Sequence, residues 1–263
     1  MEIALQDFKA YLKTLFLCIL LMIITFSIQL EFGAFTLTFS LTGLVGAIIL
    51  TVRTSKLKHI SKEFEYIYII GLCMIGGIIL NPLAQHIISN MIFKETIQEL
   101  AYQVTVLVQS GENLTSAQLN SFFNFFSELT PFIVLYLLVS FALTYGPLIA
   151  LFIASGKLIK KHSVENNYHD AYNLEKYFRN DAICLVLIAI LTTVMMVTVF
   201  SLFGQITISQ NNVYLDESFE FTSGLVSLIS IAFLVVGIVY LVFIIKTLCR
   251  IYNYSKNIEC YRK

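Results

Sequence analysis

The chain has 263 residues, of which 57% are hydrophobic and only 13% are charged, against roughly a quarter in soluble domains. Lys and Arg exactly balance Asp and Glu, so the chain lacks the basic surplus with which a nucleic-acid-binding protein neutralises phosphates. This composition excludes an ordinary soluble domain. It indicates an integral membrane protein that has the lipid bilayer as its partner and no nucleic acid.

Six apolar runs are long enough to cross a bilayer, whose hydrocarbon core of about 30 Å takes about 20 residues of helix. The first run is expected to be retained rather than removed as a signal peptide, because no small-residue cleavage site follows it. We therefore predict an all-α integral membrane protein with six transmembrane helices in a single domain, residues 1–263. The predicted spans are approximately 13–30, 33–52, 66–89, 131–156, 182–206 and 222–246.

Two other arrangements fit these runs less well. The first two spans are joined only by Glu31, Phe32 and Gly33, so they could form one kinked re-entrant unit, but each half is long enough to cross alone. An inverted repeat would relate span three to span six and span four to span one. Pro82 and Pro147 interrupt spans three and four without any proline in spans six and one, so the sequence does not support a repeat.

The positive charges predict how the chain is threaded, because cytoplasmic loops retain Lys and Arg. These residues precede span one, fill the loops after spans two and four, and follow span six, whereas Lys94 alone lies on the other side. We therefore predict that both termini are cytoplasmic. The expected location is the bacterial cytoplasmic (inner) membrane.

The outer loop between spans three and four, residues 91–130, is too long for a bare connector and carries two helical patterns. Apolar residues recur at three- and four-residue steps in both halves, and Ser110 to Asn113 supply a turn between them. This predicts an amphipathic helical hairpin on the outer face. Phe122, Phe123 and Phe126 form its docking surface, for a protein partner or as a cap over the helix bundle.

Small and polar residues form one stripe along span three. Cys73, Gly77, Asn81, Gln85 and Ser89 repeat every four residues, which places them on the same face of a helix. In lipid such a stripe is expected to face protein or water. His86 lies near the outer boundary of the span and is a weaker candidate for a polar role than the two amides.

Pro82 and Pro147 predict kinks in spans three and four, because proline has no N–H and obstructs the carbonyl four residues earlier. The polar residues near these kinks are Asn81, Gln85, Ser140 and Thr144. One interpretation is that these side chains hydrogen-bond across the bundle, and this interpretation is favoured. The other is that the two kinked helices line a polar cavity, with Asn81 and Thr144 facing a solute.

Two pairs of small residues are expected to mark close contacts between helices, because small side chains let backbones approach in lipid. Gly43 and Ala47 form one pair on span two. Ser223 and Ser227 form the other pair on span six.

No motif for membrane-embedded chemistry is present: the sequence has no HExxH, no G-x-S-x-G and no phosphate-binding glycine loop followed by Lys. His162, Glu165 and His169 would share one helical face, as zinc ligands do, but no second ligand set accompanies them. The five cysteines suggest no disulfide framework. We expect no catalytic residues, no metal site and no cofactor.

The predicted spans also lack Asp, Glu, Lys and Arg in their apolar cores, where ion-coupled transporters and voltage sensors place them. We therefore expect a non-catalytic component of a membrane assembly, or a protein that organises the bilayer, rather than an enzyme. The alternative is a permease or channel for a neutral or weakly polar solute, in which kinked helices three and four line the path.

Overall fold

The computed structural model describes residues 5–24, 26–32, 35–110, 120, 130–165, 169–203, 205–209, 212–215 and 218–257. Six helices make up most of this part of the chain: α1 (Leu5–Ile23), α2 (Leu41–Leu57), α3 (Lys62–Ser110), α4 (Thr130–Glu165), α5 (His169–Phe203) and α6 (Ser218–Asn257). Two antiparallel strand pairs complete it: β1 (Ser27–Phe32) with β2 (Phe35–Ser40), and β3 (Ile206–Ser209) with β4 (Asn212–Leu215).

Four of these helices, α3 to α6, are long and apolar enough to cross a membrane. Within the described residues the candidate spans are Lys62–Ile88, Thr130–His162, Leu174–Leu202 and Ser218–Lys256. Only 11% to 28% of the most apolar window of each span is buried inside the protein, which leaves a large apolar surface for contact with lipid. The structure thus agrees with the predicted helical architecture and has four helices able to span a membrane, and the last four predicted spans fall on α3 to α6.

The structure corrects the first two predicted spans. Residues 27–32 and 35–40, which were expected to be helical, form the antiparallel strand pair β1–β2, and Glu31 and Phe32 of the predicted connection are the last two residues of β1. The remaining helices α1 and α2 have 19 and 17 residues. At 1.5 Å per residue they are about 28 and 25 Å long, and neither is among the candidate spans of the described chain.

The hairpin has a sequence signal that average hydropathy hides. Its register pairs Ile28 with Phe39, Leu30 with Leu37 and Phe32 with Phe35, and polar residues alternate with these on both strands. A period of two with β-branched and aromatic residues favours strands, whereas a helix would need apolar residues at three- and four-residue steps. Similarly, predicted span five ends early, because α5 stops at Phe203 and Ile206 begins β3.

α3 also differs from the expected boundary between span three and the outer hairpin. It continues as one helix of 49 residues from Lys62 to Ser110, so the first predicted hairpin helix is the end of α3. No Gly or Pro occurs between Ile87 and Ser110, and nothing in the sequence therefore ends the helix there. The second predicted hairpin helix, with Phe122, Phe123 and Phe126, lies outside the described residues and stays a prediction.

The chain divides into two compact units. The first comprises Met1–Leu83, Phe141–Leu187 and Val236–Lys263, and the second comprises Ala84–Ser140 and Ile188–Val235. The hydrophobic core belongs almost entirely to the first unit. Its centre is the buried face of α1, whose residues recur at three- and four-residue steps and are at most 1% exposed: Phe8, Tyr11, Leu12, Leu15, Cys18 and Ile19.

Polar contacts inside the first unit hold α1 to its neighbours. The Tyr11 hydroxyl lies 2.9 Å from Ser155 Oγ on α4, and the Tyr11 ring meets the Phe64 ring on α3 edge to face at 5.2 Å. Burial raises the pKa of the Tyr11 phenol above its ordinary value of 10.0. One turn earlier on α1, Asp7 Oδ1 accepts a hydrogen bond of 3.0 Å from Arg53 of α2. α1 is therefore a core helix of the first unit.

Small residues of α2 allow close packing on α1. A Cβ added at Gly46 would lie 3.2 Å from the Cys18 carbonyl oxygen, tighter than nearly all such contacts. Ala47, beside it, is fully buried. Gly43 is also buried, and the N-cap Ser40 accepts a hydrogen bond of 3.2 Å from the Gly43 amide through its Oγ at the start of α2. Residues of this small-residue face thus lie at a contact that the chain makes with itself.

Candidate functional site

The seam between α3 and α4 contains a very close contact between two helix backbones. Gly77 of α3 lies against the backbone of Leu143 on α4. A Cβ added at Gly77 would overlap the Leu143 carbonyl oxygen and lie 3.0 Å from its carbonyl carbon. Only glycine fits at this position.

Pro147 explains why the Leu143 carbonyl is available for this contact. In a regular helix the N–H of residue 147 would donate to that carbonyl, but proline has no N–H. The close approach of Gly77 brings its Cα–H groups to the freed oxygen, and contacts of this type recur where helices pack closely. The glycine and the proline, 70 residues apart in sequence, therefore belong to one contact.

The predicted polar residues are only partly brought together. Gln85 Nε2 lies 3.4 Å from Ser140 Oγ, a weak hydrogen bond between α3 and α4 inside the second unit. Asn81 is half-buried, whereas Thr144 is exposed. Along the predicted stripe Gly77 is buried but Cys73 is exposed, so the stripe follows the seam for only part of its length.

A buried carboxyl group joins α5 to α6 inside the first unit. Asp181 is fully buried, and its Oδ2 accepts a hydrogen bond of 2.5 Å from Thr247 Oγ1. Oδ1 is buried too and has no hydrogen-bond partner within the described ranges. The phenol of Tyr240 and the thiol of Cys184 lie within electrostatic range of this group. The cluster is the most polar part of the unit's interior.

Asp181 immediately precedes predicted span five, and no role for it was predicted from the sequence. A helical-face argument would have found it, because Leu174, Phe178, Ala182 and Leu185 are all buried at three- and four-residue steps. Asp181 falls on that same face. A carboxyl on the apolar face of a helix needs hydrogen-bond donors, and Thr247 supplies one of them.

His162 lies in an aromatic cluster. It is 2% exposed, and its ring stacks on the Phe8 ring with centroids 3.7 Å apart and planes 12° from parallel. Phe8 also meets the Tyr254 ring edge to face at 6.4 Å. Among the described residues no group of three His, Cys, Asp or Glu side chains is arranged to hold a metal ion.

The second predicted pair of small residues, Ser223 and Ser227 on α6, is less covered than the buried pair on α2, and Gly224 lies beside Ser223. A Cβ added at Gly224 would meet no described atom within 4 Å, and Ser227 is exposed. The neighbouring Leu228 and Ile231 are 66% and 61% exposed. At 100° per residue these four lie on one side of the helix, opposite the buried Thr222 and Ile229. We call these four residues the open face of α6.

Comparison with known proteins gives no relative: no family model, no curated protein and no solved structure matches this chain.

Proposed function

We propose that this protein is a non-catalytic component of a membrane assembly, which binds a second membrane protein through the open face of α6. Gly224 is the observation that carries the proposal. A glycine inside a helix costs about 1 kcal/mol relative to alanine. Gly77 has a steric reason to be glycine, whereas nothing in the described part of the chain occupies the space beside Gly224.

Helices in lipid recognise one another chiefly through close packing. Lipid tails are as apolar as leucine, so helices gain little from burying apolar side chains and associate where small residues let backbones approach. Gly224 and Ser227 form such a notch, flanked by the exposed Leu228. The Ser227 hydroxyl donates to the Ser223 carbonyl at 3.2 Å, so it needs no further partner in an apolar contact. A partner helix fits this notch, and lipid alone gives no reason for it.

The seam between α3 and α4 supports this proposal over the alternative, a permease or channel for a neutral or weakly polar solute. A solute path between these two helices would need space at the level of the prolines. Gly77 and the Leu143 backbone are in direct contact there, so the space at this level is an open groove along the helix pair and not a path that passes between the two backbones. Gln85 and Ser140 bond to one another, as the packing interpretation of the polar residues requires.

The test is a comparison of purified proteins in a mild detergent. The wild-type protein is expected to elute with a mass, measured by light scattering, that includes a stoichiometric second membrane protein or second copy. The double variant G224L/S227L fills the notch and is expected to elute alone with unchanged thermal stability. V242L enlarges another exposed residue on the same side of α6, about five turns away, and is the matched control that keeps the partner.

Two results would overturn the proposal. One is a wild-type protein that runs as a single copy and lets glycerol or urea into liposomes faster than protein-free vesicles, which would favour the permease. The other is a G224L/S227L variant that loses thermal stability as a lone chain. That result would mean that another part of this chain, such as the predicted outer hairpin with Phe122, Phe123 and Phe126, covers the notch.

The proposal includes the orientation predicted from Lys and Arg, with both termini cytoplasmic. An impermeant thiol reagent is expected to label S110C and N212C in intact cells, and to leave Cys260 unlabelled. The opposite labelling pattern would show that the topology is reversed and that the open face of α6 lies toward the cytoplasmic side.

A further inference from the structure

A continuous groove runs between α3 and α4 in the first unit. One part has a volume of about 540 Å³ and is lined by Glu63, Tyr66 and Lys157 at one end and by Ile70 and Ala150 further in. A second part of about 480 Å³ shares Ile70 and Ala150 and continues to Leu80. Because Ile70 and Ala150 line both parts, the two parts form one groove along the helix pair.

The shape of this groove matches an extended hydrocarbon chain. From Glu63 to Leu80 there are 17 residues of α3, or about 26 Å at 1.5 Å per residue. This length approaches the thickness of a bilayer's hydrocarbon core, about 30 Å. Gly146, Ala150 and Ala154 line the α4 side at four-residue steps, and their small side chains give the groove its depth.

The two ends of the groove differ in chemistry. The far end is apolar, whereas the near end carries two charges of opposite sign and a phenol. Lys161 forms an ion pair of 2.8 Å with Glu63 and so neutralises that carboxylate. Lys157 is exposed and forms no ion pair within the described residues. The mouth of the groove therefore has one positive charge available to a ligand, and Tyr66, which lines the same end, is 61% exposed.

We propose that this groove is a binding site for an anionic phospholipid, with one acyl chain lying between α3 and α4 and the headgroup phosphate on Lys157 and Tyr66. A lysine ammonium and a phenol both donate hydrogen bonds to phosphate oxygens. A polybasic surface would attract any anionic headgroup, but here a single charge stands at the end of an apolar groove, which selects a molecule with both parts.

The walls indicate a lipid of the surrounding bilayer rather than an enclosed ligand. Ile69 and Ile153, on the two rims, are 47% and 44% exposed, so the groove opens sideways toward the hydrocarbon. A second acyl chain can therefore stay in the bilayer while the first is held. The residues that line the groove belong to α3 and α4, so lipid binding there does not depend on the proposed partner interaction of α6.

The experiment uses the full-length protein in detergent, with dioleoyl phosphatidylglycerol and dioleoyl phosphatidylcholine as probes and native mass spectrometry as the readout. Phosphatidylglycerol is expected to bind about fivefold more tightly, because both lipids carry the phosphate but only phosphatidylglycerol has a net negative charge to attract Lys157. K157Q is expected to remove this preference. A150F blocks the groove where its two parts meet and is expected to lower binding of both lipids.

The matched controls change residues of α5 outside the groove. K176Q removes an exposed charge and V186F enlarges an exposed apolar side chain, and both are expected to bind lipid like the wild type. Equal binding of the two lipids by the wild type would overturn the headgroup assignment. Equal losses in K157Q and K176Q would do the same, since they would indicate nonspecific charge attraction.

A measurement on the unaltered protein covers the case in which A150F does not fold. Phosphatidylglycerol with a photoreactive acyl chain is expected to label peptides of α3 and α4 around Ile70 and Ala150. Labelling spread evenly over α3 to α6 would show ordinary annular lipid and would overturn the site.

Discussion

Gly77 and Gly224 are both glycines in the middle of long apolar helices, yet their surroundings are opposite. A side chain at Gly77 would collide with the Leu143 backbone, whereas a side chain at Gly224 would meet nothing within 4 Å in the described structure. The first contact is therefore completed by this chain. The second position is open in the described structure, and we propose that an external partner completes a contact there.

The polar groups around Gly77 and Gly224 also differ. Near Gly77 the freed Leu143 carbonyl faces a neighbouring helix. Near Gly224 the serine hydroxyls turn back to carbonyls of their own helix: Ser223 to Glu220 and Ser227 to Ser223. A surface whose polar groups are satisfied locally is prepared for an apolar contact, with no hydrogen bond waiting for a particular partner atom.

The largest effect is expected from alanine at the two glycines. G77A forces the α3–α4 seam apart and is expected to lower the free energy of unfolding by about 1–3 kcal/mol, as overpacking does. G224A is expected to leave it unchanged or raise it by up to about 1 kcal/mol, through helix propensity. Thermal unfolding of both variants in the same detergent checks this. G76A, one residue from Gly77 but with open space beside it, is the control on α3 and should behave like G224A.

The hydrogen bond between Thr247 and the buried carboxyl of Asp181 is an internal contact of the first unit, and its contribution to the free energy of unfolding can be measured. T247V removes the hydroxyl that donates to Asp181 and is expected to cost about 1–3 kcal/mol, because a buried acceptor loses its partner. The double variant D181L/T247V removes both polar groups and is expected to recover most of that loss. If thermal unfolding shows T247V equal to wild type, the Asp181–Thr247 bond has no part in stability.

The Tyr11–Ser155 hydrogen bond is expected to contribute about 1 kcal/mol at neutral pH, as measured by the loss of thermal stability in Y11F. S155A removes the same bond and is the matched variant. If the bond accounts for the effect, the double variant loses no more than either single one.

Tyr11 also predicts how stability changes at alkaline pH. Its pKa is raised in the folded protein, so the neutral phenol's contribution is complete below pH 10 and decreases as the pH rises above that value. Thermal stability of the wild type should therefore fall more steeply than that of Y11F above pH 10. Parallel curves would mean that the phenol titrates alike in the folded and unfolded protein.

The smallest effect is expected at Gln85. Hydrogen bonds between membrane helices contribute about 0.6 kcal/mol on average, and the 3.4 Å separation from Ser140 is long. A double-mutant cycle with Q85L and S140A is expected to give a coupling energy of about that size. A coupling of 2 kcal/mol or more would point to a stronger polar network at the seam than the Gln85–Ser140 pair alone.

The sequence by itself determined the membrane character of this protein and the positions of its four long helices, because runs of 20 or more apolar residues have few other structures. It also pointed to Gly77 and Pro147, since glycine and proline change the backbone wherever they occur. It misjudged residues 27–40, where the total hydropathy suits a helix and only the alternation indicates strands. It also expected α3 to end near residue 90, although no residue there stops a helix.

Tertiary structure alone decided which small residues are covered. Gly46 on α2 and Gly224 on α6 read alike in sequence, since each lies beside other small residues on an apolar helix. Gly46 packs on Cys18, whereas no described residue approaches Gly224. Likewise, in the sequence Asp181 is a charged residue just before predicted span five. Packing of α5 on α6 buries it, and Thr247 donates a hydrogen bond to its carboxyl group. Burial depends on where distant segments lie, and local composition does not record that position.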